Sequence, residues 1–227
     1  MYILDAIIVI IFILGIMWGI RNGVIKSTVS LLGTILCLII AFTFKNSLSS
    51  VFYKNLPFFD LNGVFEGVSV INIVIYELIA FLVIFILCNV ILKVLIKVTG
   101  IIERIFKLTI VLGFFSKMLG AVVGFIQSYI IVFIFLFIFT QPFITIIGIE
   151  DSWLSDKILN STFLLSDSVK NTRDAINEIY ELNNDYKNDK KLYNKKALEL
   201  LVDYDIIDED NVKILKEKGK LGVLWFI

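Results

Sequence analysis

Four long apolar runs constrain the fold of this chain more than any other feature. They cover residues 3–20, 24–44, 70–98 and 117–140. A helix needs about 20 apolar residues to cross the hydrocarbon core of a bilayer, which is about 30 Å thick. Hydrophobic residues make up 58% of the chain, well above the roughly 45–50% of an ordinary soluble domain. The sequence therefore predicts an all-α protein with a four-helix, multi-pass transmembrane domain.

A short polar break separates the first two runs. Residues 3–44 as one straight helix would measure about 60 Å at 1.5 Å per residue, roughly twice the thickness of the hydrocarbon. The chain must therefore turn, and Arg21-Asn22-Gly23 is the polar break available. Asn and Gly suit this place because both tolerate the positive φ angles of tight turns.

The distribution of Lys and Arg near the ends of the runs predicts the orientation, since cytoplasmic links are richer in these residues. Arg21 and Lys26 flank the first link, whereas the second link has only Lys45 and Lys54. The third link and its flanks carry Lys93, Lys97, Arg104, Lys107 and Lys117. We therefore expect the first and third links in the cytoplasm, with the N-terminus, the second link and the C-terminal tail outside.

The composition of the chain changes near residue 148. Residues 1–148 form the predicted transmembrane domain, and residues 149–227, rich in Asp, Glu, Lys and Asn, form a predicted polar, mostly helical extracytoplasmic tail. Residues 101–112 have apolar and charged faces at helical spacing, which predicts an amphipathic helix in the cytoplasmic interface. An extension of the third run is the alternative. In the tail, Asn183-Asn184-Asp185 and Asn188-Asp189-Lys190 predict a polar hinge, and Asp208 predicts the N-cap of a last helix.

Small residues recur every three or four positions in three of the runs. They are Gly15, Gly19 and Gly23 in the first run, Gly23, Ser27, Ser30, Thr34, Cys37 and Ala41 in the second, and Ser116, Gly120, Gly124 and Ser128 at the fourth. In lipid, helix association depends on close packing, and small residues let two backbones approach each other. We therefore expect the first, second and fourth spans to pack together, with the third span more peripheral.

Two acidic side chains fall near the ends of apolar runs. Asp5 lies near the start of the first run, and Glu77 lies roughly 10 Å along the helix from the start of the third. An ionisable group inside a membrane segment is a candidate for function. For Asp5, the alternative is a hydrated residue that favours the positive end of the helix dipole. For Glu77, the alternatives are a partner cation, a water-lined cavity, or a third span that begins after it.

Several functional classes find no support in the sequence. The chain has no histidine, its formal net charge is zero, and Cys37 and Cys88 both lie inside apolar runs. Its glycines form neither a dinucleotide fingerprint nor a phosphate-binding P-loop. We therefore expect no enzymatic activity, cofactor, metal site, nucleotide or nucleic-acid partner.

Several segments in order resemble CvpA, the colicin V production protein family of bacterial inner-membrane proteins. They are Leu4-Asp5, Arg21-Asn22-Gly23-Val24-Ile25-Lys26, Ser30-Leu31-Leu32-Gly33, Leu112–Gly124 and Asp151-Ser152-Trp153-Leu154-Ser155. The resemblance implies a multi-pass protein of the bacterial cell membrane, linked to colicin V production or export and to envelope stress and biofilm phenotypes. It does not imply a particular reaction.

Two functions are consistent with these features. The first is a non-enzymatic scaffold or accessory factor for toxin production or export and envelope homeostasis, whose partners are the lipid bilayer and other envelope proteins. The second is a small homo-oligomeric channel or carrier in which Asp5 or Glu77 lines a path. A membrane enzyme ranks third, since the sequence pairs no nucleophile with a base. The candidate functional or structural residues are Asp5, Gly15, Gly19, Arg21, Gly23, Glu77, Gly120 and Gly124.

Overall fold

The computed structural model describes six stretches of the chain, and they form seven helices. The stretches are residues 3–59, 69–98, 113–139, 152–161, 166–186 and 189–220. The helices are α1 (Ile3–Asn55), α2 (Val70–Val98), α3 (Gly113–Phe139), α4 (Trp153–Ser161), α5 (Ser166–Tyr186), α6 (Lys190–Asp203) and α7 (Glu209–Glu217). These stretches contain no strand, so the all-helical class is as predicted. The predicted amphipathic helix at 101–112 lies outside the described residues.

Helix α1 contains the first two apolar runs and is interrupted at Gly23. This residue has a φ of 71° and a ψ of 173°, a backbone conformation that is essentially confined to glycine. Two side chains bind backbone groups at the interruption. Asn22 Nδ2 donates to the Trp18 carbonyl oxygen at 2.7 Å, and the Val24 N–H donates to Ser116 Oγ at 3.2 Å. The predicted break is thus present, and Gly23 is its pivot.

The chain reverses its direction at Gly23. Before the break, Gly15 packs against Ser128 of α3. After the break, Ser30 accepts a hydrogen bond of 3.0 Å from the adjacent Gln127. A straight helix would hold Gly15 and Ser30 about 22 Å apart along its axis, too far for both to reach the same turn of α3. Helix α1 therefore consists of two arms, residues 3–22 and 24–55, and the first part of the second arm, residues 24–41, runs back beside the first arm.

Three described helices, α1, α2 and α3, are long and apolar enough to cross a membrane. Helix α1 carries the first and second predicted runs on its two arms. Helix α2 coincides with the third run at 70–98, and α3 covers 113–139 where the fourth run predicts 117–140.

Glycines bring the first arm of α1 and helix α3 into backbone contact, as their spacing predicts. A Cβ atom added to either Gly19 or Gly120 would collide with the carbonyl oxygen of the other residue. A Cβ atom on Gly124 would collide in the same way with the Gly15 carbonyl oxygen. We call this contact the glycine seam.

Helix α2 packs on the second arm of α1 and does not enter the glycine seam. Leu92 fills the space above Gly33, and the ring centroids of Phe42 and Phe81 lie 4.9 Å apart. None of the residues from 84 to 95 is buried. This part of the third run is therefore peripheral in the protein. The prediction of a peripheral third span is wrong for the first part of the run, because most residues from 70 to 81 are buried.

The helices pack into two compact units, and α1 and α2 contribute residues to both. Among the described residues, the first unit comprises 3–41, 84–98, 113–139 and 152–161, and the second comprises 42–59, 69–83, 166–186 and 189–220. This division does not follow the change of composition near residue 148. We call the described part of the second unit the tail module: residues 42–59 and 69–83 with α5, α6 and α7.

A hydrophobic core holds the tail module together. Its buried side chains are Tyr53, Val70, Ile71, Ile73, Val74 and Tyr76 from α1 and α2, and Ala175, Ile176, Ile179, Tyr193, Ala197, Leu198, Leu201, Ile206, Ile207 and Leu215 from the tail. The Tyr193 hydroxyl donates to the Ile179 carbonyl oxygen at 2.6 Å. Burial raises the pKa of Tyr193 to about 12, so the hydroxyl remains a neutral donor at physiological pH. The tail therefore folds onto helix ends that the apolar runs supply.

The ends of the tail helices agree with the sequence at two positions and differ at a third. Asp208 caps α7 as predicted, and its carboxylate accepts a hydrogen bond of 2.7 Å from the Asn211 N–H. The first half of the predicted hinge, 183–185, is wrong, because α5 continues through it to Tyr186. Leu182 and Tyr186 pack against the core of the module, and this packing favours the helix over the turn. The second half, 188–190, is confirmed at Asp189, which caps the start of α6.

Candidate functional site: the buried carboxylates

Glu77 of α2 is buried, and three side chains of α1 bind its carboxylate. Lys45 Nζ lies 2.9 Å from Oε2, while Ser49 Oγ and Tyr53 Oη donate to Oε1 at 2.5 and 2.8 Å. Lys45, Ser49 and Tyr53 follow one another at intervals of four residues, so they share one face of the helix. Among the arrangements that the sequence allowed for Glu77, the structure shows pairing with a cation.

Lys45 connects this carboxylate to the turn between α6 and α7. Besides binding Glu77, its ammonium group donates to the Ile206 carbonyl oxygen at 3.1 Å and to Asn46 Oδ1 at 2.8 Å. An ammonium group has three donors, and each one is used. Asn211 of α7 adds a further link, because its Nδ2 donates to the Asn46 carbonyl oxygen at 3.0 Å. These groups form one network that joins α1, α2 and the tail, and we call it the Lys45–Glu77 network.

The network explains how two opposite charges are held away from water. The Lys45 side chain is 17% exposed and the Glu77 side chain 5%. Burying an ion costs several kcal/mol unless a close counter-ion and hydrogen bonds compensate for the lost hydration. Here both forms of compensation are present. Removal of either partner would leave the other charge uncompensated, at a cost of about 3–5 kcal/mol.

Asp5 belongs to the first unit and binds the start of α4. It lies in the first turn of α1 and is 7% exposed. Its Oδ1 accepts hydrogen bonds from Ser152 Oγ at 2.6 Å and from the Leu154 N–H at 3.2 Å. Ser152 Oγ in turn accepts from the Ser155 N–H at 3.0 Å. Asp5 and Ser152 thereby satisfy backbone donors at the positive end of α4.

The remaining candidate residues lie around the reversal of α1. Gly15, Gly19, Gly120 and Gly124 form the glycine seam, and Gly23 is the pivot. Arg21 is exposed beside that pivot. Asp5 and Glu77, by contrast, belong to different units.

The partners of both carboxylates were not predicted from the sequence. Lys45 served there only as a marker of orientation, and Ser49 and Tyr53 had no predicted role. The i, i+4, i+8 spacing of these three residues was a usable signal, since it places a cation and two hydroxyl donors on one helical face. For Asp5, no periodicity links it to Ser152, which follows 147 residues later.

These contacts lie in a region of the chain that matches a known family. The family model for the Colicin V production protein matches residues 4–163, which is more than half of the chain. The chain belongs to the Colicin V production protein family. Within this family region lie Asp5, Lys45 and Glu77, whereas α5, α6 and α7 follow it. Comparisons with curated proteins and with solved structures found no match.

Both buried carboxylates of this Colicin V production family member bind groups of their own chain. In the part of the chain that the structure describes, no group of three or more His, Cys, Asp or Glu side chains is placed to hold a metal ion. Glu77 binds a cation and two hydroxyl groups, and Asp5 binds a hydroxyl group and a backbone amide. Chemically, these arrangements balance charge and fix the positions of helices.

Proposed function

We propose that this protein is a non-enzymatic scaffold of the bacterial cytoplasmic membrane that displays the tail module outside the membrane. The Lys45–Glu77 network carries this proposal, because it joins the ends of two apolar helices to the tail. The second arm of α1 is about 48 Å long and α2 about 43 Å at 1.5 Å per residue. Both exceed the roughly 30 Å of hydrocarbon, so each helix has a length that extends beyond the bilayer, and the tail module is built on these ends.

In this proposal the membrane domain has four spans. The first arm of α1, the second arm up to about residue 44, α2 after Glu77, and α3 each cross the bilayer once. The reversal at Gly23 supports the count, because it divides α1 into two antiparallel arms. Arg21 and Lys26 flank the reversal and favour a cytoplasmic position for it. Both termini and the tail module then lie outside.

The scaffold acts in the production or export of colicin V-type toxins and in envelope homeostasis. Family membership supports this process, and the engagement of Asp5 and Glu77 in internal contacts supports a structural role for them. The tail module supplies the surface for other envelope proteins. Exposed charged residues on its helices, such as Glu181, Lys196 and Lys213, give that surface its polar character.

Photo-crosslinking in native membranes tests the scaffold. A photoreactive residue at Glu181 or Lys213 on the module should trap the same envelope protein, whereas one at Leu95, which lies on an exposed apolar face, should not. Glu77→Gln should weaken the adduct at an unchanged membrane level of the protein. An adduct that forms equally from Leu95, or that ignores Glu77→Gln, would contradict a role for the tail module.

One observation favours the second candidate, a small channel or carrier. Ser27 Oγ and Gln127 Oε1 are buried among apolar helices, and neither has a hydrogen-bond partner in the structure. Polar groups inside membrane segments are costly, and those that line substrate or ion paths face a water-filled cavity. Ion flux through reconstituted vesicles distinguishes the candidates. A flux that Gln127→Leu abolishes would favour the channel, while leakage no greater than in protein-free vesicles would favour the scaffold.

A further inference from the structure

Helix α4 presents two different faces. Ser152, just before the helix, and Ser155 and Ile158 within it are buried against the rest of the first unit, with at most 5% of their surface exposed. Trp153, Asp156 and Lys157 are exposed on the other side, and Trp153 has 64% of its surface exposed. The exposed face of α4 thus combines an aromatic ring with charged side chains. Such a face favours an environment that accepts both.

The contacts of α4 define its depth relative to the membrane helices. The pivot Gly23 packs against Ser116 near the start of α3. Asp5, which binds the start of α4, lies about 27 Å from that pivot along the first arm of α1. Tyr129, which donates to the Ile158 carbonyl oxygen at 3.3 Å, lies about 20 Å from Ser116 along α3.

If α1 and α3 span the bilayer, these distances put α4 about 3–10 Å inside the boundary between hydrocarbon and headgroups. If the pivot side of the helices marks one face of hydrocarbon about 30 Å thick, the 20–27 Å levels fall in the last third of the hydrocarbon, within the opposite leaflet. Helix α4 therefore runs along the membrane helices at this depth and does not project beyond them. In a bilayer that α1 and α3 span, its outward face would meet lipid.

The outward side chains match the chemistry of that boundary. The Lys157 ammonium group lies 4.7 Å from the centroid of the Trp153 ring, which is within the range of a cation–π contact. Tryptophan is enriched at membrane interfaces because its ring is apolar while its N–H is polar. A lysine ammonium group at the same level can reach upward to a lipid phosphate.

We propose that α4 is a lipid-binding helix, in which Trp153 inserts at the acyl–headgroup boundary and Lys157 binds the phosphate of an anionic phospholipid. The leaflet is the one on the Asp5 side of the first arm. The site requires that α1 and α3 span the bilayer, but it does not depend on the orientation of the protein or on the scaffold role.

Fluorescence of a single tryptophan tests the depth. The full chain with Trp18→Phe and Trp225→Phe retains Trp153 alone and is reconstituted in phosphatidylglycerol–phosphatidylcholine vesicles. We expect stronger quenching by lipids brominated near the headgroup than by lipids brominated near the chain end, and weak quenching by aqueous iodide. Strong iodide quenching without lipid quenching would overturn the proposal, as would maximal quenching by the deeply brominated lipid.

A second measurement tests the lysine and does not rely on those tryptophan changes. A nitroxide attached after Trp153→Cys, with Cys37→Ser and Cys88→Ser, reports depth from its relative accessibility to oxygen and to a water-soluble nickel chelate. In the spin-labelled chain with no lysine substitution, adding 20% phosphatidylglycerol to phosphatidylcholine vesicles should lower the accessibility of the nitroxide to the nickel chelate. The same decrease should occur with the control substitution Lys213→Gln and should be absent with Lys157→Gln. An equal decrease with Lys157→Gln and Lys213→Gln would overturn the assignment of Lys157.

Discussion

Removing the charge of Glu77 should loosen the tail module and leave the glycine seam intact. Glu77→Gln keeps the size of the side chain and an oxygen for Ser49 and Tyr53, but it leaves Lys45 without its counter-ion. Loss of one partner of a buried ion pair costs about 3–5 kcal/mol. Lys45 keeps some exposure and its contacts with Asn46 and Ile206, so we expect about 3 kcal/mol. This corresponds to a roughly 150-fold larger opening equilibrium.

Hydrogen exchange with the protein in lipid nanodiscs measures this effect segment by segment. Amides of α7 should exchange up to about 150-fold faster in Glu77→Gln, because the network holds the turn before that helix. Amides of α3 should be unchanged. The matched control is Lys213→Gln, which removes an exposed pair with Asp210 at 3.0 Å and should change stability by less than about 1 kcal/mol.

The double variant Lys45→Met with Glu77→Gln separates charge imbalance from lost packing. Removing both charges eliminates the uncompensated ion, so α7 should regain much of the protection that Glu77→Gln alone loses. Unchanged exchange in α7 of the single variant would refute the reasoning. An equal loss of protection in α3 would also refute it, since the defect would then not be confined to the tail module.

Three further substitutions test other contacts. Gly124→Leu should lower the amount of protein in the membrane, because the leucine side chain would collide with the first arm of α1. Val122→Leu, on an exposed face, is the control and should leave the amount unchanged. Equal amounts of the two variants on immunoblots would contradict the glycine seam. The losses of unfolding free energy caused by Asp5→Ala and Ser152→Ala should not add in the double variant, and thermal unfolding should give a coupling energy of about 1 kcal/mol. Strictly additive losses would argue against the cap on α4. Leu201→Ala should destabilise the tail module by about 2–5 kcal/mol, which hydrogen exchange of the α6 amides measures. If those amides exchange as slowly as in the unsubstituted protein, the core is not packed as described.

Local features of the fold were predictable because neighbouring residues determine them. The break around Gly23 followed from the length of the apolar runs and from the turn chemistry of Asn and Gly. The cap at Asp208 followed from a short acidic residue just before a helical pattern. The glycine seam followed from small residues repeating on one helical face.

The remaining features depend on contacts between distant parts of the chain. Glu77 was a clear candidate, but its partner Lys45 lies 32 residues away, and helical periodicity does not choose between possible partners. The same holds for Asp5 and α4. The 183–185 half of the predicted hinge failed because the packing of the partly buried Leu182 and Tyr186 against the core outweighs the turn preference of the Asn-rich segment.

Side-specific cysteine labelling tests the central claim that two antiparallel arms of α1 and two further spans carry the tail module outside. Cys37→Ser and Cys88→Ser provide the background, with Lys213→Cys on the module and Arg21→Cys beside the pivot as single labels. A membrane-impermeant maleimide should label Lys213→Cys in cells with an intact cytoplasmic membrane and an opened outer barrier. It should label Arg21→Cys only after that membrane is permeabilised. Labelling of both positions from the same side would contradict the four-span account.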